Sequence, residues 1–198
     1  MRIFLSGPSG VGKTTIVKEI LLSHPKIRLS VSYTTRPPRK NEIEGKDYFF
    51  VSKNVFEGMI KESCFLEWAR VHDNLYGTSI NWLEEQEACG MDILFDIDVQ
   101  GVRQAKENQS PGKFILILPP DMDELFSRLS SRGTENTGSI ETRMANAKKE
   151  LSYWEMYDYL VINKDISAAI DDIEAIIRAE HLLKKEAIGS LEWLEKIE

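Results

Sequence analysis

Short apolar runs alternate along this chain with stretches in which apolar residues recur every three or four positions, and the alternation starts at once. Ile3, Phe4 and Leu5 read as a strand, and residues 15–22, behind a glycine-rich turn, read as a helix. Residues 27–31, bounded upstream by Pro25, form the next strand. The texture then changes. Residues 34–45 hold Pro37, Pro38, Gly45 and many charges, which is loop chemistry and marks the entry to an inserted subdomain. Within it, residues 47–51 read as a strand. Residues 52–62 read as a helix with Ser52 as N-cap and Val55, Phe56, Met59 and Ile60 on one face. Strict alternation over 65–71 places Phe65, Glu67, Ala69 and Val71 on one face and Leu66, Trp68 and Arg70 on the other, so Glu67 sits among apolar residues.

The larger pattern resumes with a helix over 80–89, closed by Gly90. The run 91–98 is apolar and ends in Asp96 and Asp98, as a buried parallel strand with carboxylates at its C-terminal edge would be. Residues 114–118 form another buried strand, stopped by Pro119 and Pro120. Residues 121–131 are helical, and the glycines and small polar residues of 132–138 break the pattern into a mobile loop. Ser139 caps a helix running to about Trp154, and residues 159–162 make the last strand. Ile166, Ile170, Ile173, Ile176 and Ile177 mark a long amphipathic helix, and Leu191, Trp193, Leu194 and Ile197 form an apolar cluster that packs as a terminal helix or meets a partner. Strand-helix alternation at this spacing predicts an α/β fold with a parallel sheet, organised as one principal domain with small inserts.

Composition narrows the partners. With 25 basic and 32 acidic residues the chain carries a net charge of −7, which repels nucleic acid and anionic membranes, so an anionic substrate must meet a local basic patch. No apolar stretch approaches the roughly 20 residues that span a bilayer. Cys64 and Cys89 lack the C-x-x-C spacing of metal or redox sites and read as buried or idle thiols, and the default compartment is the cytoplasm. The sequence leaves the oligomeric state open, a homodimer included.

Chemistry enters with Gly7, Pro8, Ser9, Gly10, Val11, Gly12, Lys13 and Thr14, a glycine, four free positions and Gly-Lys-Thr, lying between the first strand and the first helix. A glycine-rich turn of this kind aims successive N–H groups at a polyphosphate on the positive end of the helix. Lys13 would reach the β- and γ-phosphates, and the Thr14 hydroxyl would ligate a magnesium ion bridging them. Arg128, Arg132 and Arg143 flank the 132–138 loop, as a lid bringing positive charge to a transferring phosphoryl group would require. A second basic group, Arg36, Arg39 and Lys40, lies close in sequence to Ser32 and Tyr48. Guanidinium forks with a phenol suit a phosphate monoester. Taken alone, either arginine group also fits ordinary solvated charge.

The P-loop, the run 30–39 (SVSYTTRPPR), 45–48 (GKDY), 65–69 (FLEWA), 76–78 (YGT), 96–101 (DIDVQG) and 128–134 together resemble guanylate kinase, over residues 2 to 181 or so. The resemblance implies a P-loop core (1–32, 80–127 and 144–184), a GMP-binding insert (33–79), a lid (128–143) and a tail (185–198) outside it. Arg36, Arg39, Tyr48 and Tyr76 would hold the GMP phosphate, while Ser32, Glu67, Thr78 and Asp96 would read or orient the guanosine. Arg128, Arg132 and Arg143 would contact donor phosphates, and Asn163 would lie near the donor base. In place of the acidic residue that the family pattern sets directly after that asparagine, this chain has Lys164 and then Asp165. The implied reaction is transfer of the γ-phosphoryl of ATP, with magnesium, to GMP and dGMP. An interaction module that keeps the fold without the catalysis, and a P-loop kinase for another small acceptor, are the competing readings.

Overall fold

Ile3, Phe4 and Leu5 are all but fully buried, as befits a strand enclosed on both faces. The computed structural model, which describes residues 1–71, 73–131 and 137–183, sets this strand, β1 (Arg2–Ser6), at the centre of a five-stranded parallel sheet. Its order is β2 (Ile27–Leu29), β7 (Asp92–Asp96), β1, β8 (Lys113–Leu118) and β9 (Tyr159–Ile162). Helices cover both faces. On one, Ile16 and Ile20 of α1 (Lys13–Ser23) pack with Ile173 and Ile177 of α7 (Ile166–His181) over Leu5, Leu94 and Ile115. On the other, the rings of Phe4, Phe95 and Phe114 stack at centroid distances of 4.2 and 4.4 Å. They lie beneath Leu83 of α3 (Ile80–Ala88) and Val102 and Ala105 of α4 (Val99–Glu107). A third layer edge is made by α5 (Met122–Ser130) and α6 (Thr137–Leu151), joined through Leu125, Leu129 and Ala147.

A second sheet lies between β2 and α3 in sequence. Its order is β4 (Tyr48–Phe50), β3 (Ser32–Thr34), β6 (Asn74–Ser79) and β5 (Phe65–Val71), with β3 parallel to β4 and antiparallel to β6. Helix α2 (Lys53–Lys61), whose Ser52 cap accepts from the Val55 amide, lays Phe56 against Phe65 at 4.4 Å.

The structure departs from the sequence reading at several points. The strand expected over 27–31 stops at Leu29, and the chain crosses into the second sheet at β3, a three-residue strand just ahead of the proline-bearing loop. Strand β6 and helix α4 were not anticipated, because Asn74 and Gly77 dilute the first and Gly101 with charged neighbours dilutes the second. In β5 the pairing register slips between Phe65 and Glu67, so Phe65, Leu66 and Glu67 are all buried and strict alternation fails there. Ser139 is not a cap, since α6 already starts at Thr137, and that helix ends at Leu151, with Trp154 in a separate 3-10 turn. Cys89 is exposed rather than buried. Arg132, the first residue of the expected mobile loop, and the apolar tail cluster from Leu191 to Ile197 lie outside the described residues.

Candidate functional site

The turn from β1 to α1 encloses a cavity of about 300 Å³, lined by Gly7, Pro8, Ser9, Gly10, Gly12, Lys13, Thr14 and Thr15 together with Asp98 and Glu150. Gly12 is the N-cap of α1 with φ 98°, and a Cβ there would fall 2.5 Å from the Asn163 amide nitrogen. Both the left-handed angle and the close approach call for glycine. The Asn163 side chain, 3% exposed, donates to the Val11 carbonyl at 2.7 Å. Asn163 therefore braces the loop, its amide donating to the loop backbone.

Lys13 is held by the two ends of the β7 turn. Its Nζ lies 2.6 Å from Asp96 Oδ1 and donates to the Ile97 carbonyl at 3.1 Å. Asp96, expected to orient the guanosine, is here the partner of the P-loop cation. One turn on, Asp98 caps α4 by accepting from the Gln100 and Gly101 amides, with its carboxylate on the cavity wall. Glu150, on α6, closes the opposite wall. Burial first and the Asp98 charge second push its carboxyl upward, against the pull of Lys13. Helix α6 also brings Arg143, which donates to the Ser9 hydroxyl at 2.5 Å. Arg128 is positioned by Glu124, 2.8 Å from its Nε, and by the Asn163 carbonyl, 3.0 Å from its second terminal nitrogen, so Arg128 and the loop both contact Asn163.

The second basic group is built on the second sheet. Arg36 donates through Nε to the Tyr76 hydroxyl at 3.3 Å, and its guanidinium lies over the Tyr48 and Phe50 rings at 5.4 and 5.8 Å. Glu42 occupies it from the other side: one oxygen accepts from Arg36 at 2.7 Å, the other from the Arg39 backbone amide at 2.7 Å. That hydrogen bond to Arg36 holds the Glu42 carboxyl below, and the guanidinium above, their ordinary values. Glu42 was not among the residues singled out from sequence, although its spacing from Arg36 and Arg39 in a charged loop was the available signal.

Glu67 lies at the floor of the second sheet, 7% exposed. The Thr78 hydroxyl donates to its Oε1 at 2.7 Å, and Ser30, also unremarked in the sequence, contacts Thr78 at 3.3 Å. Burial raises the Glu67 carboxyl above the usual range, more than the Thr78 bond lowers it. Ser32 starts β3 opposite Tyr48 of β4, half-buried, and Thr14 stands exposed on the first turn of α1. A glycine-rich loop cavity with Lys13 at its edge, an aromatic-walled arginine and a buried carboxylate that accepts from Thr78 are thus all formed. Arg132 is the one expected site residue whose place is not described.

Comparison with known proteins gives these features a lineage. The guanylate kinase family model matches residues 1–180. The guanylate kinase of Geobacter sulfurreducens is 48% identical over 176 residues, covering 89% of this chain and 87% of that protein. That of Clostridium tetani is 48% identical over 178 residues, covering 90% and 85%. In three dimensions, the crystal structure of guanylate kinase from Anaplasma phagocytophilum superposes with a TM-score of 0.68 at 34% identity, covering 93% of this chain and 87% of that one. Matches spanning nearly the whole chain at such identity leave one conclusion: the chain belongs to the guanylate kinase family.

Proposed function

We propose that this nucleoside monophosphate kinase transfers the γ-phosphoryl of ATP to GMP, and to dGMP, with the roles of its side chains divided between the two sheets. The observation that carries this reading is the buried Glu67 carboxylate, oriented by Thr78 and built into the same chain as a complete P-loop. Guanine presents N1–H and the 2-amino group side by side, and one carboxylate can accept both. Adenine has an acceptor at N1 and no 2-amino group, and would leave the buried charge unpaired. Arg36, Arg39, Tyr48 and Tyr76 would hold the GMP phosphate, and GMP would displace Glu42 from the Arg36 guanidinium on entry. Ser32 would complete this acceptor site, with residues 33–79 as the acceptor-binding insert and 128–143 as the lid.

Donor phosphates would lie in the loop cavity, along the N–H groups of residues 7–14. There Lys13 would leave Asp96 for the β- and γ-oxygens, and Arg128, Arg132 and Arg143 would converge on the transferring group. The loose transition state spreads charge over the equatorial oxygens, so fixed cations in a closed, water-poor site lower the barrier more than they stabilise the ground state. The donor set on the cavity wall, the Thr14 hydroxyl with the Asp98 carboxylate nearby, consists of hard oxygens and fits magnesium. When bound, the ion would supply charge neutralisation between the β- and γ-phosphates. Among the described residues no helix is long and apolar enough to cross a membrane, and the small-molecule reading needs no membrane or nucleic-acid partner.

A coupled assay over a panel of nucleoside monophosphates, run beside Lys13→Ala, tests the proposal. GMP and dGMP should be preferred, and Lys13→Ala should lose turnover by 100-fold or more, on the order expected for removing a transition-state cation, with melting unchanged. Near-normal turnover in that variant would favour an interaction module or a different mechanism.

A further inference from the structure

Strand β5 is an edge of its sheet: β6 pairs along one side, and among the described residues no strand lies along the other. Its outward-facing backbone groups flank the base-reading residue, because Leu66 and Trp68 point to the open edge while Glu67 turns its own backbone to β6. Two side chains, Gln104 of α4 and Asn108 at its C-cap, meet these groups. Gln104 Oε1 accepts from the Trp68 amide at 2.9 Å, and Asn108 Nδ2 donates to the Leu66 carbonyl at 2.6 Å. The match is geometric. Residues i and i+4 on a helix face stand about 6 Å apart, close to the repeat between alternate residues of a strand. A donor and an acceptor in that order fit the carbonyl and amide of residues two apart.

The position matters because of the register slip between Phe65 and Glu67. A bulge leaves its extra residue without a ladder partner and is the weakest point of a strand, yet this one sets the direction in which the Glu67 carboxylate leaves the backbone. We infer that Gln104 and Asn108 form a two-point amide clamp that fixes this bulge to α4 and so positions Glu67 for guanine. They are positioning residues, acting through the Leu66 and Trp68 backbone and touching no substrate. Helix α4 begins at Asp98, on the wall of the phosphate cavity, and grips β5 near its other end. The acceptor-reading carboxylate and the donor cavity are thereby referenced to a single rigid element. The inference rests on the proposed role of Glu67 in reading the base.

The test measures kcat/KM for GMP and for AMP, and KM for ATP, in Gln104→Ala, Gln104→Glu, Asn108→Ala and Glu67→Gln. Each alanine should cut the GMP-to-AMP preference by roughly 3- to 10-fold, the range for loss of one orienting hydrogen bond, through GMP and with the ATP KM unmoved. Gln104→Glu keeps an acceptor for the Trp68 amide and should restore most of the preference, which a role in bulk packing would not predict. Amide exchange at Trp68 in the unaltered protein gives a second readout that needs no variant to fold, and the clamp requires it to be slow despite its place on an open edge. If Glu67→Gln narrows the preference while both alanines leave it intact, or if the Trp68 amide exchanges like a free edge, the clamp is wrong. If Glu67→Gln itself leaves the preference unchanged, the reading of the base fails and the clamp inference falls with it.

Discussion

Glu67 carries opposed demands: burial that makes a carboxylate selective for two adjacent donors also makes it costly in the empty protein. Glu67→Gln keeps the shape but turns one acceptor into a donor that faces another donor, so kcat/KM for GMP should fall by roughly 5- to 150-fold, the worth of about 1–3 kcal/mol for an uncompensated buried polar group. AMP should escape that loss, since its N1 can accept from the new amide. Arg39→Ala, by contrast, should weaken GMP and AMP together, because a phosphate contact is common to both. The same burial predicts a pH effect on stability. The folded-state carboxyl titrates above its unfolded value, so the folded chain binds the extra proton between the two. Stability from this group therefore falls as pH rises from the ordinary carboxylate range through the raised value, and the penalty is complete above it. Glu67→Gln should raise the melting temperature at neutral pH, and the advantage should vanish on acidification below the ordinary carboxylate range. In the unaltered enzyme, kcat/KM for GMP should drop on the acid side earlier than that for AMP. A parallel pH dependence of the two substrates would disconnect Glu67 from the base.

At the scale of elements, legibility followed chemistry more than periodicity. The loop of residues 7–14 was readable because its glycines and Lys-Thr answer to a ligand's geometry, and the enclosed strands β1, β7 and β8 because continuous apolar runs have few other uses. Elements whose stability comes from tertiary partners were opaque. Strand β6 is paired on both sides and can tolerate Gly77 against Trp68, and α4 is fixed by Asp98 at its start and by its two amides on β5. Pairwise ion contacts such as Lys13 with Asp96, or Arg36 with Glu42, are likewise set by three-dimensional approach. Asn163 shows the same limit most plainly, since nothing local tells that an asparagine after β9 reaches back to residue 11. Its role as a brace makes a prediction at this scale. Asn163→Ala leaves the Val11 carbonyl unpaired in a buried place and should cost about 1–3 kcal/mol by chemical unfolding. Because the carbonyl belongs to the phosphate loop, the ATP KM should rise as well, while the GMP KM stays near its starting value. Equal effects on both substrates would mean that the asparagine supports the whole sheet and not the loop.

For the molecule as a whole, the decisive feature is that the groups proposed for acceptor and donor belong to different sheets joined by few connections. The chain passes between them at Ser30 and Val31 and again at Ser79 and Ile80, and α4 bridges them at the edge of β5. Such an arrangement would let β3, β4 and the loop between them swing toward the core while β5 stays referenced to it. Arg36 and Lys13 are each held by a carboxylate of the chain itself, Glu42 and Asp96. In the proposed mechanism GMP would displace the first pair and ATP the second, so closure should draw on both ligands at once. With GMP and a non-hydrolysable ATP analogue together, hydrogen exchange should slow in β3, β4 and the connecting loop over 35–47 and in the first turns of α6. Small-angle scattering should report a smaller radius of gyration. Either ligand alone should give a partial response, and the increase in melting temperature with both should exceed the sum of the separate increases, since the second ligand binds a form that the first has already brought part of the way. Strictly additive shifts, with exchange in the insert unaffected by the donor analogue, would describe two independent sites on a rigid scaffold and would require another account of how water is kept from the transferring phosphoryl group.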